Sequence, residues 1–68
     1  MTKTPGERIS ARRAKQRLTQ TALAKLIDKE RQYVHGVERG RFVPKWPTMS
    51  KIATALKTTV DKLYGSAD

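Results

Sequence analysis

Two neighbouring side chains, Arg31 and Gln32, carry planar groups that make paired hydrogen bonds. A guanidinium donates in a fork, and a carboxamide donates and accepts side by side. His35 stands four residues after Arg31, one helical turn on and therefore on the same face of a helix. Gln20, Tyr33, Arg39, Arg41 and Lys45 add further hydrogen-bond donors before and after this group. Donors of this kind suit phosphates and the edges of bases. The rest of the chain supports no competing chemistry. The carboxylates are scattered, with only Asp28 and Glu30 close together, and no serine has a histidine beside it. No glycine-rich phosphate loop is present, so nothing points to an enzyme. The lone histidine and the lack of cysteine leave no metal site and no disulfide, and no cofactor is implied.

Charge names the class of partner. Fifteen Lys and Arg oppose six Asp and Glu, giving a net charge of +9 in 68 residues. Residues 1–34 hold nine basic and three acidic groups and residues 35–68 hold six and three, so the excess is spread along the chain. A domain this basic repels itself unless a polyanion is near, which makes nucleic acid the leading partner and an anionic membrane surface the second. No apolar run approaches the roughly 18 residues of a membrane span, and the basic N-terminus lacks the apolar stretch of a signal peptide. The cysteine-free composition reads as a reduced, cytoplasmic domain.

The elements that must position these groups are all helical. Residues 1–5 read as a loose arm. A first, strongly cationic helix runs from Gly6 to Arg17, with Ile9 and Ala11 or Ala14 as its apolar points. Thr19 is a good N-cap for a second helix over about 20–27, where Leu23, Ala24, Leu26 and Ile27 recur at helical spacing. A third covers about 31–39, with Val34, Val37 and Glu38 on one face and Arg31, Gln32, His35 and Gly36 or Arg39 on the other. Gly40 suits its C-terminus. Met49, Ile52, Ala53 and Leu56 mark a fourth helix, and Thr59 caps a short fifth with Val60 and Leu63 inward. Residues 65–68 read as a frayed end. Tyr33 and Phe42-Val43 are too isolated to form strands, which leaves an all-α, five-helix domain.

Two short helices separated by about three residues in a basic domain form a helix-turn-helix, whose second helix enters the major groove of DNA. The sequence resembles the lambda-repressor-like (Cro/cI, xenobiotic-response-element type) helix-turn-helix domain. The resemblance is carried by Gly6-Glu7-Arg8-Ile9, Leu18-Thr19-Gln20, Leu23-Ala24, Tyr33-Val34, Val37-Glu38-Arg39-Gly40, Pro44, Ile52-Ala53, Ala55-Leu56 and Val60-Asp61-Lys62-Leu63. It implies that Gln20 touches a DNA phosphate and that Arg13 pairs with Glu38 to hold the recognition helix in register. The alternative for that pair is a surface ion pair worth under about 1 kcal/mol.

Base contacts are expected from the start and outer face of the third helix. Arg31 can bridge O6 and N7 of guanine, Gln32 can bridge N6 and N7 of adenine, and His35 can reach a base or a phosphate. Arg31 could instead clamp a phosphate, and Gln32 could simply be solvated. Glu30 suits the helix dipole better than a cytosine. Tyr33 either reaches a phosphate or packs its ring on the core edge, and Arg39, Arg41 and Lys45 flank phosphates or lie in a solvated loop. Asp28 and Lys29 depart from the family's turn glycine and apolar plug, so the turn is reshaped or Lys29 snorkels outward. Arg12 replaces a frequent apolar residue. Gly36 costs its helix about 1 kcal/mol relative to Ala, and either removes a base-contacting side chain or lets the backbone approach DNA. Trp46 takes an apolar anchor position and is expected in the core.

The expected function is sequence-specific binding of double-stranded DNA by a small bacterial or phage regulator, most simply a repressor. A homodimer formed or strengthened on DNA, with Val60, Leu63 and Tyr64 at its interface, would occupy a pseudo-palindromic operator. Possible protein partners are RNA polymerase, a toxin or an antirepressor. In the alternative reading the same fold is an antitoxin or adaptor that binds a partner protein. The first helix lacks the apolar face a membrane-binding helix needs, and no aromatic platform for RNA is present.

Overall fold

A computed structural model describes residues 3–65. It contains α1 (Pro5–Lys15), α2 (Gln20–Leu26), α3 (Arg31–Glu38), α4 (Trp46–Ala55) and α5 (Val60–Tyr64), with no strand among the described residues. The all-α expectation holds, with differences at the helix ends. Thr4 and Pro5, assigned to the arm, start α1 instead. The Thr4 hydroxyl accepts from the Glu7 amide (3.1 Å), and the Glu7 carboxylate accepts from the Thr4 amide (2.8 Å). This reciprocal capping box satisfies two of the donors that a helix start leaves open, and Pro5 loses nothing at a position with no intrahelical partner for its nitrogen. Residues 1 and 2 of the expected arm, and 66–68 of the expected frayed end, lie outside the described residues. Thr19 and Thr59 cap α2 and α5 as expected, accepting from the Ala22 and Lys62 amides.

The C-termini of α1 to α4 share one solution. In each, the amide two residues past the C-cap returns to a carbonyl five residues earlier: Leu18 to Arg13, Lys29 to Ala24, Arg41 to Gly36 and Thr58 to Ala53. This closure requires a left-handed residue just before the donor. Only Gly40 is a glycine there; Arg17, Asp28 and Lys57 adopt φ near +58° despite their side chains. The departure at Asp28 therefore leaves the turn geometry intact. Lys29 turns outward, with its ammonium 5.0 Å from the centre of the Tyr33 ring.

Every helix contributes to one core. Ile9, Leu23, Ala24, Ile27, Val34, Val37, Met49, Ile52, Ala53, Leu56 and Leu63 are buried. Ala11 and Ala14 are exposed, so Ile9 is the apolar side chain that α1 buries in the core. Leu26, read as part of the apolar stripe of α2, is exposed. Leu23, Ala24 and Ile27 define a stripe from which Leu26 is rotated by about 100° at the helical repeat. Trp46 is a clear correction: it is 63% exposed, not core. It is the first residue of α4, beyond the last buried layer, and Pro44 fills that end instead. The Tyr64 hydroxyl donates to the Pro44 carbonyl at 2.9 Å and ties α5 to this loop.

Candidate nucleic-acid interface

The candidate site is organised by a chain of polar contacts through one carboxylate. Arg13 approaches Glu38 in a fork: Nε donates to Oε2 at 2.6 Å and Nη2 to Oε1 at 3.0 Å. Its remaining Nη1 donates to the Leu18 carbonyl at 2.8 Å, in the turn between α1 and α2. The side chains of Arg13 and Glu38 are only 18% and 7% exposed. Hydrogen bonding to Glu38 raises the Arg13 pKa further above its ordinary value, against an opposing effect of burial, so the guanidinium stays charged. Glu38 Oε1 also accepts from Gln20 Nε2 at 3.0 Å, and Gln20 Oε1 accepts from Arg31 Nη1 at 3.3 Å. One network thus links the middle of α1, the first residue of α2 and both ends of α3.

This arrangement leaves donors to spare. A carboxamide has two N–H bonds, and Gln20 spends one on Glu38, so the other is available to a phosphate. Arg31 is exposed and spends one of its five donors on Gln20. Gln32, Arg39, Arg41 and Lys45 are exposed, while His35 is half-buried and so less open than its place on the outer face suggested. Arg39 is the C-cap of α3, and Lys45 the N-cap of α4. Tyr33 is half-buried against the core, with its ring edge-on to Phe42 at a centroid distance of 5.1 Å. Its packing role is present.

Two positioning features escaped the sequence reading. Gly36 is buried, and a Cβ there would lie 3.0 Å from Phe42 Cε1. The glycine therefore seats the Phe42 ring on α3 and presents no open backbone to a ligand, which corrects both expectations for it. Gly6 is buried where α1 crosses α3, and a Cβ there would overlap the Val37 carbonyl oxygen. Both signals were faint in sequence: a glycine inside a helix, and a phenylalanine six residues later that looked isolated.

Comparison with known proteins gives a consistent picture. The profile of the helix-turn-helix domain family matches residues 6–63. The immunity repressor protein of Bacillus phage phi105 is 37% identical over 62 residues, which cover 91% of this chain and 43% of that protein. This chain thus spans under half the length of that relative. The P22 c2 repressor, solved in complex with synthetic operator 9T, superposes with a TM-score of 0.90 at 31% identity, covering 94% of this chain and 97% of that one. The restriction-modification controller protein C.AhdI from Aeromonas hydrophila gives 0.82 at 37% identity, covering 88% and 87%.

Proposed function

The chain belongs to the helix-turn-helix domain family, of the lambda-repressor-like type, and from that premise we propose that it is a sequence-specific regulator of transcription that binds duplex DNA. The observation that carries this reading is the polar network from Arg13 through Glu38 and Gln20 to Arg31. It fixes α3 relative to α2 while leaving Arg31 and Gln32 on the exposed side. With α3 in the major groove, these two read base edges, each pairing being worth about 1–3 kcal/mol of discrimination. His35 lies beside them and, being half-buried, has a shorter reach. Gln20, Arg39, Arg41 and Lys45 contact phosphates and set the register. The relatives named as repressors support repression, by occupancy of an operator.

One domain makes few contacts, so two copies bind a pseudo-palindrome with half-sites about 34 Å apart. The domain measures 28 × 23 × 23 Å, so two copies on one face of the duplex stand side by side with a narrow contact. That fit supports a dimer strengthened by DNA. Of the three residues first expected at its interface, Leu63 is in the core and Val60 packs against it. Tyr64 remains, next to the loop that carries the exposed Val43 and leads to Trp46 at the start of α4.

Selection from a random duplex library at near-physiological salt tests this reading. The expected result is an inverted repeat with half-site centres one helical turn apart. Arg31→Ala and Gln32→Ala should each relax one base-pair preference, whereas Arg41→Ala should weaken all sequences alike and reduce the salt dependence. Salt-sensitive binding with no enriched sequence would overturn the proposal and favour a protein partner for this face.

A further inference from the structure

A second cationic feature lies away from the recognition helix. A cleft of about 310 Å³ between α1 and α5 is walled by Lys3, Arg8, Arg12, Thr58 and Lys62 and floored by Leu63. None of the residues assigned to DNA lines it. Four of its side chains are cations, and no carboxylate is among its lining residues. A concavity walled mainly by cations focuses the field on an anion that enters. Arg12 is fixed across the cleft floor, with Nη2 donating to the Lys57 carbonyl at 3.0 Å. Its Nε and the Thr58 hydroxyl are hidden from solvent without a hydrogen-bond partner. A buried donor left in that state is unfavourable, and a small side-chain rotation toward an acceptor relieves it.

We propose that this cleft is a binding site for a small phosphorylated anion. The volume sits at the lower end for ligand sites and suits a phosphate ester or diphosphate rather than a large cofactor. Tetrahedral oxyanions offer enough acceptors to engage Arg12, Thr58 and Lys62 together. The site lies on the face of α1 that carries Arg8 and Arg12, whereas Arg13 of the same helix faces Glu38. The cleft therefore lies on a different side of α1 from the polar network that holds α3.

The test is a titration of the full 68-residue chain with inorganic pyrophosphate at constant ionic strength, followed by amide NMR shifts. The expected result is saturable movement of Ala11, Thr58 and Lys62 with little change at Arg31 and Gln32. Lys62→Gln, an exposed substitution that spares the fold, should weaken binding about tenfold, as should Arg12→Gln where it folds. A parallel titration with short duplex DNA separates the sources of phosphate. Cleft amides that move with the duplex but not with pyrophosphate would make the cleft a DNA-backbone contact and overturn the proposal. Shifts spread over the whole surface, or unchanged affinity in Lys62→Gln, would do the same.

Discussion

The Arg13–Glu38 pair is the decisive test of how the recognition helix is held. Exposed ion pairs contribute up to about 1 kcal/mol, and breaking a buried pair costs about 3–5 kcal/mol. At 18% and 7% side-chain exposure, in a two-bond fork whose carboxylate also serves Gln20, this pair lies between those limits. Glu38→Gln keeps the shape but turns an amide donor toward a guanidinium donor, and the expected loss is about 2–3 kcal/mol. A 68-residue domain has a total stability of about 3–10 kcal/mol. The loss should thus lower Tm by about 10–20 °C. Arg13→Met keeps the packing of the aliphatic stem and removes the charge. Urea unfolding of the parent, both single variants and the double variant at pH 7 gives the coupling energy, expected at about 2 kcal/mol. A coupling below about 1 kcal/mol would refute the reasoning and reduce the pair to a surface contact. The same variants should also lose base discrimination, because Gln20 and Arg31 lose their anchor at the Glu38 carboxylate.

Three further outcomes are expected. Gly6→Ala drives a methyl into the Val37 carbonyl and 3.0 Å from that of Glu38, so α1 must lift from α3. A loss of about 3 kcal/mol in urea unfolding is expected, and parent-like stability would rule out the close crossing. Arg17→Gly and Lys57→Gly relieve left-handed backbone worth about 1–2 kcal/mol, offset in part by the greater freedom of glycine in the unfolded chain. Each should gain about 0.5–1 kcal/mol by thermal unfolding. The gain should be smaller for Asp28→Gly, because Asp tolerates this conformation better, and equal gains at all three would contradict the strain argument. Finally, hydrogen bonds from the Thr4 backbone and side chain hold the Glu7 pKa below its ordinary 4.5. The capping box therefore contributes its stability above that value and loses it as pH falls through the lowered one. An NMR titration placing the Glu7 pKa at or above 4.5 would remove that contribution.

The sequence was most legible where a residue's role follows from local period or local chemistry. Leu23, Ala24, Val34, Val37, Met49, Ile52 and Leu56 announce their burial by helical spacing, and Thr19 and Thr59 announce their caps by type. The Arg13–Glu38 pair spans 25 residues and came from family resemblance, which no local rule supplies. Failures fall where tertiary geometry decides. Trp46 is apolar and on a plausible face, but it sits past the end of the core. Leu63 was read both as inward and as part of a partner interface, and only the inward reading holds, because the small core consumes it. Gly36 and Phe42 have opposite local readings and become one feature only when the loop folds back over α3.

These cases explain why a short, glycine-containing helix can serve as a reading head. An eight-residue helix is marginal on its own, and Gly36 lowers its propensity further. Its position must therefore come from its surroundings, and four contacts supply it. Val34 and Val37 enter the core, Gly6 lets the α1 backbone close on the carbonyls of Val37 and Glu38, Phe42 packs at Gly36, and Arg13 grips Glu38. Together they fix depth, tilt and rotation about the helix axis, so that Arg31 and Gln32 face outward as a consequence of what the other faces touch. Gln20 then joins the start of α2 to both ends of α3, through Arg31 at one and Glu38 at the other. A ligand phosphate drawn to the second Gln20 N–H would therefore pull on the group that orients the Arg31 fork. In the proposed DNA complex, backbone contact and base reading would be linked through one carboxamide, and Gln20→Ala is expected to lower discrimination as well as affinity in a binding selection.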